Sequence, residues 1–158
     1  MPEHLPVRPA RPDETAATAD VGTYQPTLDR TPARKSVFEE AGGMAFFEGL
    51  VDHFYQGVEG DPELLAIYPD HADHLAGARH RLALFLAQYW GGPTTYTVER
   101  GQPRLFLRHV PFPITPDARD RWLTHMRAAI ASMDPPPHVT ARLLQYFDMA
   151  AEAMRNKE

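Results

Sequence analysis

Apolar residues recur at spacings of three and four along most of the chain after residue 35, and this period predicts amphipathic helices. Seven segments show the period or carry helix-start signals: 36–42, 44–58, 61–68, 73–90, 104–109, 115–133 and 138–156. Residues 93–103 lack the period and are predicted to form a loop, in which the only β-prone run, Thr94–Val98, is short. The pattern therefore predicts an all-α domain with four long helices and three short ones.

Residues that favour helix starts precede several of these segments. Ser36 has a carboxylate three residues later, at Glu39, which is the spacing of a capping box. Asp61 and Thr115 each precede a proline, which suits the first position of a helix behind a capping side chain. Asp73 is predicted to cap the helix that runs to about residue 90.

Residues 1–35 differ from the rest of the chain. They carry six of the 16 prolines and show neither a helical nor an alternating apolar period. Such a segment buries too little apolar surface to offset the entropy lost on ordering. We expect a disordered or extended Pro-rich arm at 1–35, an inert tail sooner than a partner-binding segment, followed by one folded domain at 36–158.

Composition narrows the chemistry. The formal net charge of −5 argues against nucleic acid as a partner, because phosphate-binding domains usually carry a basic excess. The chain has no cysteine, which excludes disulfides, thiolate metal sites and a cysteine nucleophile. No apolar run is long enough for an export signal or a membrane span. The expectation is a soluble, cytoplasmic protein.

The chain contains no Gly-rich phosphate loop, serine-hydrolase elbow or H-E-x-x-H zinc helix, so histidines are the main candidates for chemistry. His71 and His74 lie three residues apart, with His80 close by, but the surroundings are acidic and structural zinc sites usually recruit cysteine. His109 stands alone in a short apolar run, two residues before the helix-breaking Pro111. Neutral imidazole is the commonest metal ligand, whereas a lone histidine is more often a hydrogen-bonded boundary residue. Both interpretations of His109 stay open at this point.

The helices predicted around His109 are rich in aromatic residues and methionine. A haem is a large flat apolar disc, so its site needs apolar walls and one strong ligand to the iron. Tyr55, Tyr68 and Trp122 each combine an apolar ring with one hydrogen-bond donor, as the ligand side of such a site requires. For any one of them, however, core packing with a satisfied polar atom is the simpler explanation.

Six motifs occur in an order that resembles one known family: Phe54-Tyr55, Leu65–Pro69, Leu75–Leu82, Gln88–Pro93, Arg104–Phe112 and Arg121–Leu123. Through them the chain resembles the group II truncated haemoglobins, the trHbO-like branch of the globin superfamily, over about residues 36–156. The Tyr-Trp-Gly-Gly-Pro and Arg-His-x-Pro-Phe runs are the most specific of these motifs. The resemblance implies a two-over-two α-helical sandwich around haem b, and residues 1–35 lie outside it.

The resemblance also implies roles for particular residues. His109 takes the place of the proximal ligand to the haem iron, and Tyr55, Tyr68 and Trp122 take distal places. Ala78 stands where many globins carry a distal histidine, which implies an open route from solvent. Further contacts with the cofactor are implied for Arg81 and, more weakly, Tyr96 at the propionates, and for Leu82, Phe85, Phe112 and Met126 along the haem.

The function that the resemblance implies is binding of O2, NO, CO or peroxide at a five-coordinate iron. Strong distal hydrogen bonds favour O2, NO or peroxide chemistry over bulk oxygen transport, and NO dioxygenase and peroxidase-like activities both stay open. An unidentified reductase and a homodimer are partners that the sequence leaves open. The alternative function is a haem-free helical interaction module, in which the same aromatic residues form only a core.

Overall fold

Helices account for all regular structure in residues 35–69 and 73–158, the part of the chain that this computed structural model describes. Eight helices occur there: α1 Val37–Ala41, α2 Met44–Glu59, α3 Pro62–Leu65, α4 Ala76–Tyr89, α5 Thr95–Arg100, α6 Leu105–His109, α7 Pro116–Met133 and α8 Pro137–Met154. The predicted all-α fold is confirmed. The predicted arm at 1–35 falls, except for its last residue, outside the described residues.

Three of the predicted helix caps are confirmed. The side chains of Ser36, Asp61 and Thr115 accept hydrogen bonds from the backbone N–H groups three residues further on. Each bond satisfies a donor that the first turn of a helix leaves without a partner. Local sequence chemistry is therefore sufficient to place the starts of α1, α3 and α7.

The predicted start of α4 at Asp73 is wrong. The helix begins at Ala76, and Leu75 precedes it with a left-handed backbone (φ 60°) and no side-chain cap. A bulky residue in this conformation is strained, and here burial of the Leu75 side chain, which is only 3% exposed, holds it in place. Arg79 supports the same turn, because its Nε donates to the carbonyl oxygen of His74 at 3.0 Å.

The predicted loop at 93–103 is also wrong in part, because it contains α5. The Gln88 side chain accepts from the N–H of Thr97 at 3.0 Å and donates to the Thr97 hydroxyl at 2.7 Å. Tyr96 is buried, with its ring 5.6 Å from that of Phe85. These contacts with α4 stabilise a helix whose own sequence is rich in β-branched residues. The described chain therefore has four short helices instead of three.

The long helices form the two-over-two sandwich, with α2 beside α4 and α7 beside α8. Glycines let α2 and α7 approach closely. A Cβ atom at Gly57 would lie 2.5 Å from Nδ1 of His125, and one at Gly49 would lie 2.7 Å from Cε of Met133. Within residues 35–69 and 73–158, no helix is both long and apolar enough to cross a membrane.

Candidate functional site

A cavity of about 660 Å³ opens between α4, α6, α7 and α8. This volume suits a small-molecule ligand, whose pockets span roughly 300–1,000 Å³. Its wall includes ten of the eleven residues predicted for the site: Tyr55, Tyr68, Ala78, Arg81, Leu82, Phe85, Tyr96, His109, Phe112 and Trp122. The eleventh, Met126, is fully buried in the helical core and does not reach the cavity.

The imidazole of His109 is oriented by its own helix. Its Nδ1 lies 2.6 Å from the carbonyl oxygen of Leu105, one turn earlier in α6. A carbonyl can only accept, so Nδ1 carries the proton and Nε2 is the nitrogen with a free lone pair. Metal-binding histidines are commonly fixed by such a bond, which also makes the other nitrogen more basic. His109 is therefore prepared to act as a ligand through Nε2.

Arg108 holds the start of α6 through hydrogen bonds to backbone carbonyl groups. Its Nε donates to the carbonyl oxygen of Pro103 at 2.6 Å, and its second terminal nitrogen donates to those of Arg100 and Gln102 at 2.9 and 3.1 Å. The guanidinium also lies 5.9 Å from the centre of the Tyr96 ring. The side chain thus ties α5 to α6.

Tyr55, Tyr68 and Trp122 come from α2, the turn after α3 and α7, and meet at the cavity. The Tyr55 hydroxyl and the Trp122 indole donate to the Tyr68 oxygen. Burial raises the pKa of Tyr55 well above 10.0 and that of Tyr68 to about 12, so both phenols stay protonated at neutral pH. The three residues form a network of neutral hydrogen-bond donors on the cavity wall.

Arg79 fixes the position of Tyr55 from behind. Its guanidinium carbon lies 5.6 Å from the centre of the Tyr55 ring. Its terminal nitrogens donate to carboxylate oxygens of Asp52 at 3.0 Å and Glu59 at 2.9 Å. Arginine suits this place because its planar fork binds two acceptors while its face stacks on a ring.

Replacing Arg79 with lysine should lower the free energy of unfolding by about 1–2 kcal/mol, since an ammonium group cannot keep both ion pairs and the stacking on Tyr55. Urea unfolding measures the change. The matched control is Arg127→Lys, because Arg127 pairs only with Asp148 among the described residues and both side chains are half exposed. The control should change stability by less than about 0.5 kcal/mol. Equal effects of the two substitutions would contradict a special role for Arg79.

Asp61 joins the start of α3 to α7. Its carboxylate accepts from the N–H of Leu64 at 3.3 Å, from Arg121 at 3.1 Å and from Nε2 of His125 at 2.9 Å. The hydrogen bond from His125 is the main cause that lowers the pKa of Asp61 below 3.8, and the Leu64 and Arg121 contacts act in the same direction. Arg121 and His125 flank Trp122, so the carboxylate helps to hold the indole in its place.

Asp61→Asn should lower the free energy of unfolding by about 1 kcal/mol at pH 7, because it removes the charge but keeps a capping oxygen. The folded-state pKa of Asp61 is depressed, so its stabilisation is present above pH 4 and is lost as the pH falls through the folded value. The difference between the two proteins should therefore shrink in acid. Urea unfolding at pH 7, 5 and 3.5 tests this, with the exposed Asp148→Asn as control. A difference that does not vary with pH would contradict an effect of charge.

Charge on the cavity wall is of one sign. Among the described residues, four arginines line it, at positions 81, 100, 108 and 119, and no aspartate or glutamate does. Arg119 is paired with Asp120 and Glu152, whereas Arg81 and Arg100 have no carboxylate partner in the described part of the chain. A largely apolar cavity with unpaired cations fits an apolar ligand that carries carboxylates. Haem has this character, and the imidazole of His109 supplies the one strong ligand that its iron needs.

Arg100 and Tyr146 are among the residues of the cavity wall that the sequence did not predict as site residues. Arg100 ends α5, which the sequence did not predict. Tyr146 lies on α8 just before Phe147, which the apolar stripe of that helix does contain, and its ring stacks on Tyr89 with centroids 4.3 Å apart. The sequence signal for Tyr146 is a tyrosine next to the apolar stripe of a helix. That signal does not tell whether the side chain lines a cavity or packs in the core.

No group of three or more potential metal ligands comes together in residues 35–69 and 73–158. The histidine cluster that the sequence disfavoured as a zinc site includes His71, which lies outside the described residues. His80 instead pairs with Glu99 at 2.9 Å. A single oriented imidazole on an apolar cavity between two pairs of long helices is instead the arrangement expected of a globin, which holds haem through one histidine.

Comparison with known proteins identifies the branch. Residues 36–156 match the bacterial-like globin family. The chain is 36% identical over 118 residues to the group 2 truncated hemoglobin YjbI of Bacillus subtilis, which covers 75% of this chain and 87% of that protein. The thermostable hemoglobin of the actinobacterium Thermobifida fusca superposes with a TM-score of 0.75 at 48% identity, over 77% of this chain and 98% of that one. The truncated oxygen-avid haemoglobin of Bacillus subtilis superposes with a TM-score of 0.72 at 34% identity, over 77% of this chain and 100% of that one.

The chain belongs to the bacterial-like globins and, within them, to the group II truncated haemoglobins. Haem is the cofactor of this family, and reversible binding of small gaseous ligands to the haem is its shared activity. The family and the fold that the sequence motifs implied are thus confirmed.

Proposed function

We propose that this truncated haemoglobin holds haem b in the cavity through Nε2 of His109, as a five-coordinate iron whose other face receives the ligand. The observation that carries the proposal is the hydrogen bond from Nδ1 of His109 to the carbonyl oxygen of Leu105. This bond leaves the lone pair of Nε2 free for a ligand at a cavity whose wall is largely apolar and carries arginines. When bound, haem supplies an iron that takes up O2, NO, CO or peroxide. In this proposal Leu82, Phe85 and Phe112 pack against the haem.

Arg81 and Arg100 are the proposed partners of the haem propionates. Both line the cavity without a carboxylate partner of their own in the described residues, so pairing with the propionates does not require breaking an existing ion pair. Tyr96 is the weaker candidate, because its ring is buried between Phe85 and the guanidinium of Arg108. Ala78 adds no polar group to the cavity wall and leaves room for a ligand to enter.

Tyr55, Tyr68 and Trp122 are the proposed donors to a bound ligand. A hydrogen bond to a group that carries negative charge contributes about 1.5–3 kcal/mol, which corresponds to a roughly ten- to hundredfold slower release. A protein that releases its ligand slowly suits chemistry better than bulk transport. The description of the Bacillus subtilis relative as oxygen-avid supports this part of the proposal.

NO dioxygenation and peroxide turnover are the two proposed reactions, and the experiment has one arm for each. Stopped-flow mixing of the O2-loaded protein with NO should form nitrate in the first case. Turnover of H2O2 by the ferric protein with a phenolic donor should exceed that of free haem in the second. Conversion of O2 and NO to nitrate consumes one electron per cycle, so an unidentified reductase belongs to the first. If neither reaction is observed, the protein binds its ligand but catalyses neither NO dioxygenation nor peroxide turnover.

The haem-free interaction module is the alternative, and the visible spectrum separates the two. Purified protein supplemented with haem should show a Soret band and bind one haem per chain. Absence of that band would contradict the main proposal. The proposal also takes residues 36–158 as the globin domain, with 1–35 as an arm outside it, in a cytoplasmic protein.

A further inference from the structure

The residues that follow α8 close on the residues that follow His109. Nδ2 of Asn156 donates to the carbonyl oxygens of His109 at 3.2 Å and Phe112 at 2.8 Å, and its Oδ1 accepts from the N–H of Ile114 at 2.9 Å. The backbone N–H groups of Asn156 and Lys157 donate to the Ile114 oxygen at 3.1 and 3.3 Å. One asparagine side chain thus satisfies three backbone groups in the segment 109–114, which is more than 40 residues away along the chain.

The helix that carries His109 needs such support. It has five residues, and none of them is buried. A helix this short is not stable by itself, and its last carbonyl groups have no partners inside the helix. Phe106, Leu107 and Val110 are each about half exposed, so packing restrains the segment little. Arg108 holds its first end, and Asn156 holds its second end.

We propose that Asn156 is a positioning residue for the proximal histidine, an inference that rests on the proposed ligation of haem by His109. The side chain binds the carbonyl group of His109 itself, so it fixes the backbone from which the imidazole projects. The Leu105 bond sets the rotation of the ring, and the Asn156 bonds set where the ring stands relative to α8. Partners of a metal ligand usually change metal affinity by roughly 10- to 100-fold when they are lost.

Asparagine is the one side chain that meets all three groups at this reach. Aspartate keeps the acceptor for Ile114 but loses both donors and places negative charge against two carbonyl oxygens. Glutamine keeps the amide on a stem one carbon longer. Alanine removes all three bonds and leaves the backbone pairing with Ile114. Aspartate therefore tests the loss of the two donors, glutamine tests the length of the side chain, and alanine tests the loss of all three hydrogen bonds.

The experiment uses haem-loaded protein in the ferrous, ligand-free state. Resonance Raman spectroscopy reports the iron–histidine stretching band, and transfer of haem to an excess of apomyoglobin reports its rate of loss. Asn156→Ala and Asn156→Asp should shift or broaden the band and speed haem loss about tenfold or more, with Asn156→Gln between them and the wild type. Glu158→Ala, an exposed change two residues on, is the control and should match the wild type.

Asn156 is the only asparagine in the chain, so labelling with 15N-asparagine gives a single side-chain amide signal. In the diamagnetic CO-loaded protein its two protons should exchange slowly with solvent if both donate as described. Fast exchange, or a variant that loses stability in urea while its iron–histidine band keeps the wild-type frequency and width, would overturn the proposal. Absence of an iron–histidine band in the wild type would instead refute the proposed ligation by His109.

Discussion

Replacing His109 with glycine should abolish stable five-coordinate haem, the largest effect expected of any substitution in this chain. The only histidine among the described residues of the cavity wall is then gone, while the apolar wall and the unpaired arginines stay. Loss of a mere partner of a metal ligand costs about 10- to 100-fold in affinity, so loss of the ligand itself should speed haem release by more than about 100-fold. Visible spectra and haem transfer to apomyoglobin measure both effects.

Imidazole added to the glycine variant should restore the five-coordinate spectrum, because the cavity left by the side chain admits the free ligand. His80→Gly is the matched control, since His80 lies on α4 outside the cavity and pairs with Glu99. It should leave the spectrum and haem release unchanged. A His109→Gly protein with the wild-type spectrum would place the iron ligand elsewhere.

The parts of the fold that follow from local chemistry could be predicted from the sequence. Ser36, Asp61 and Thr115 cap helices through bonds that reach only three residues along the chain. The four long helices follow from apolar residues that recur at spacings of three and four. Such features depend on neighbours in the sequence, so they are visible in it.

The predictions that were wrong concern features that depend on residues far apart in the sequence or on a tertiary contact. The helix α5 forms because Gln88 binds Thr97, and α4 starts late because burial of Leu75 outweighs the strain of its backbone. No propensity or spacing encodes either contact. The role inferred for Asn156 belongs to the same kind, since its three partners lie more than 40 residues earlier.

Eight of the ten predicted site residues on the cavity wall lie within the ordered sequence motifs, and the other two, Phe85 and Tyr96, lie outside them. Periodicity alone places Met126 on the same side of α7 as Trp122, one turn away. Trp122 is partly exposed to the cavity, but Met126 is fully buried against the other helices. A helical face therefore predicts burial, and only the packing of neighbouring helices decides which turn of it meets a ligand.

Tyr55→Phe and Trp122→Phe should each speed release of O2 by about ten- to hundredfold, because each removes one donor from the cavity wall while keeping an aromatic ring. The two effects should not add. Both groups donate to the same oxygen of Tyr68, so loss of one changes what the other can bind. The double variant's rate of O2 release, relative to the wild type, should therefore differ severalfold from the product of the two single variants' relative rates. Stopped-flow displacement of O2 by CO measures all four rates.

Tyr89→Phe is the control for loss of a phenol, since Tyr89 is half exposed and does not line the cavity. Its release rate should equal that of the wild type.

Tyr68→Phe distinguishes two arrangements of the network. If Tyr68 mainly holds the other two donors, its removal frees Tyr55 and Trp122 to bind the ligand and release becomes slower; if Tyr68 itself donates to the ligand, release becomes faster. Unchanged rates in Tyr55→Phe and Trp122→Phe together would show that the network only stabilises the fold, and the control of ligand release would then lie with entry past Ala78.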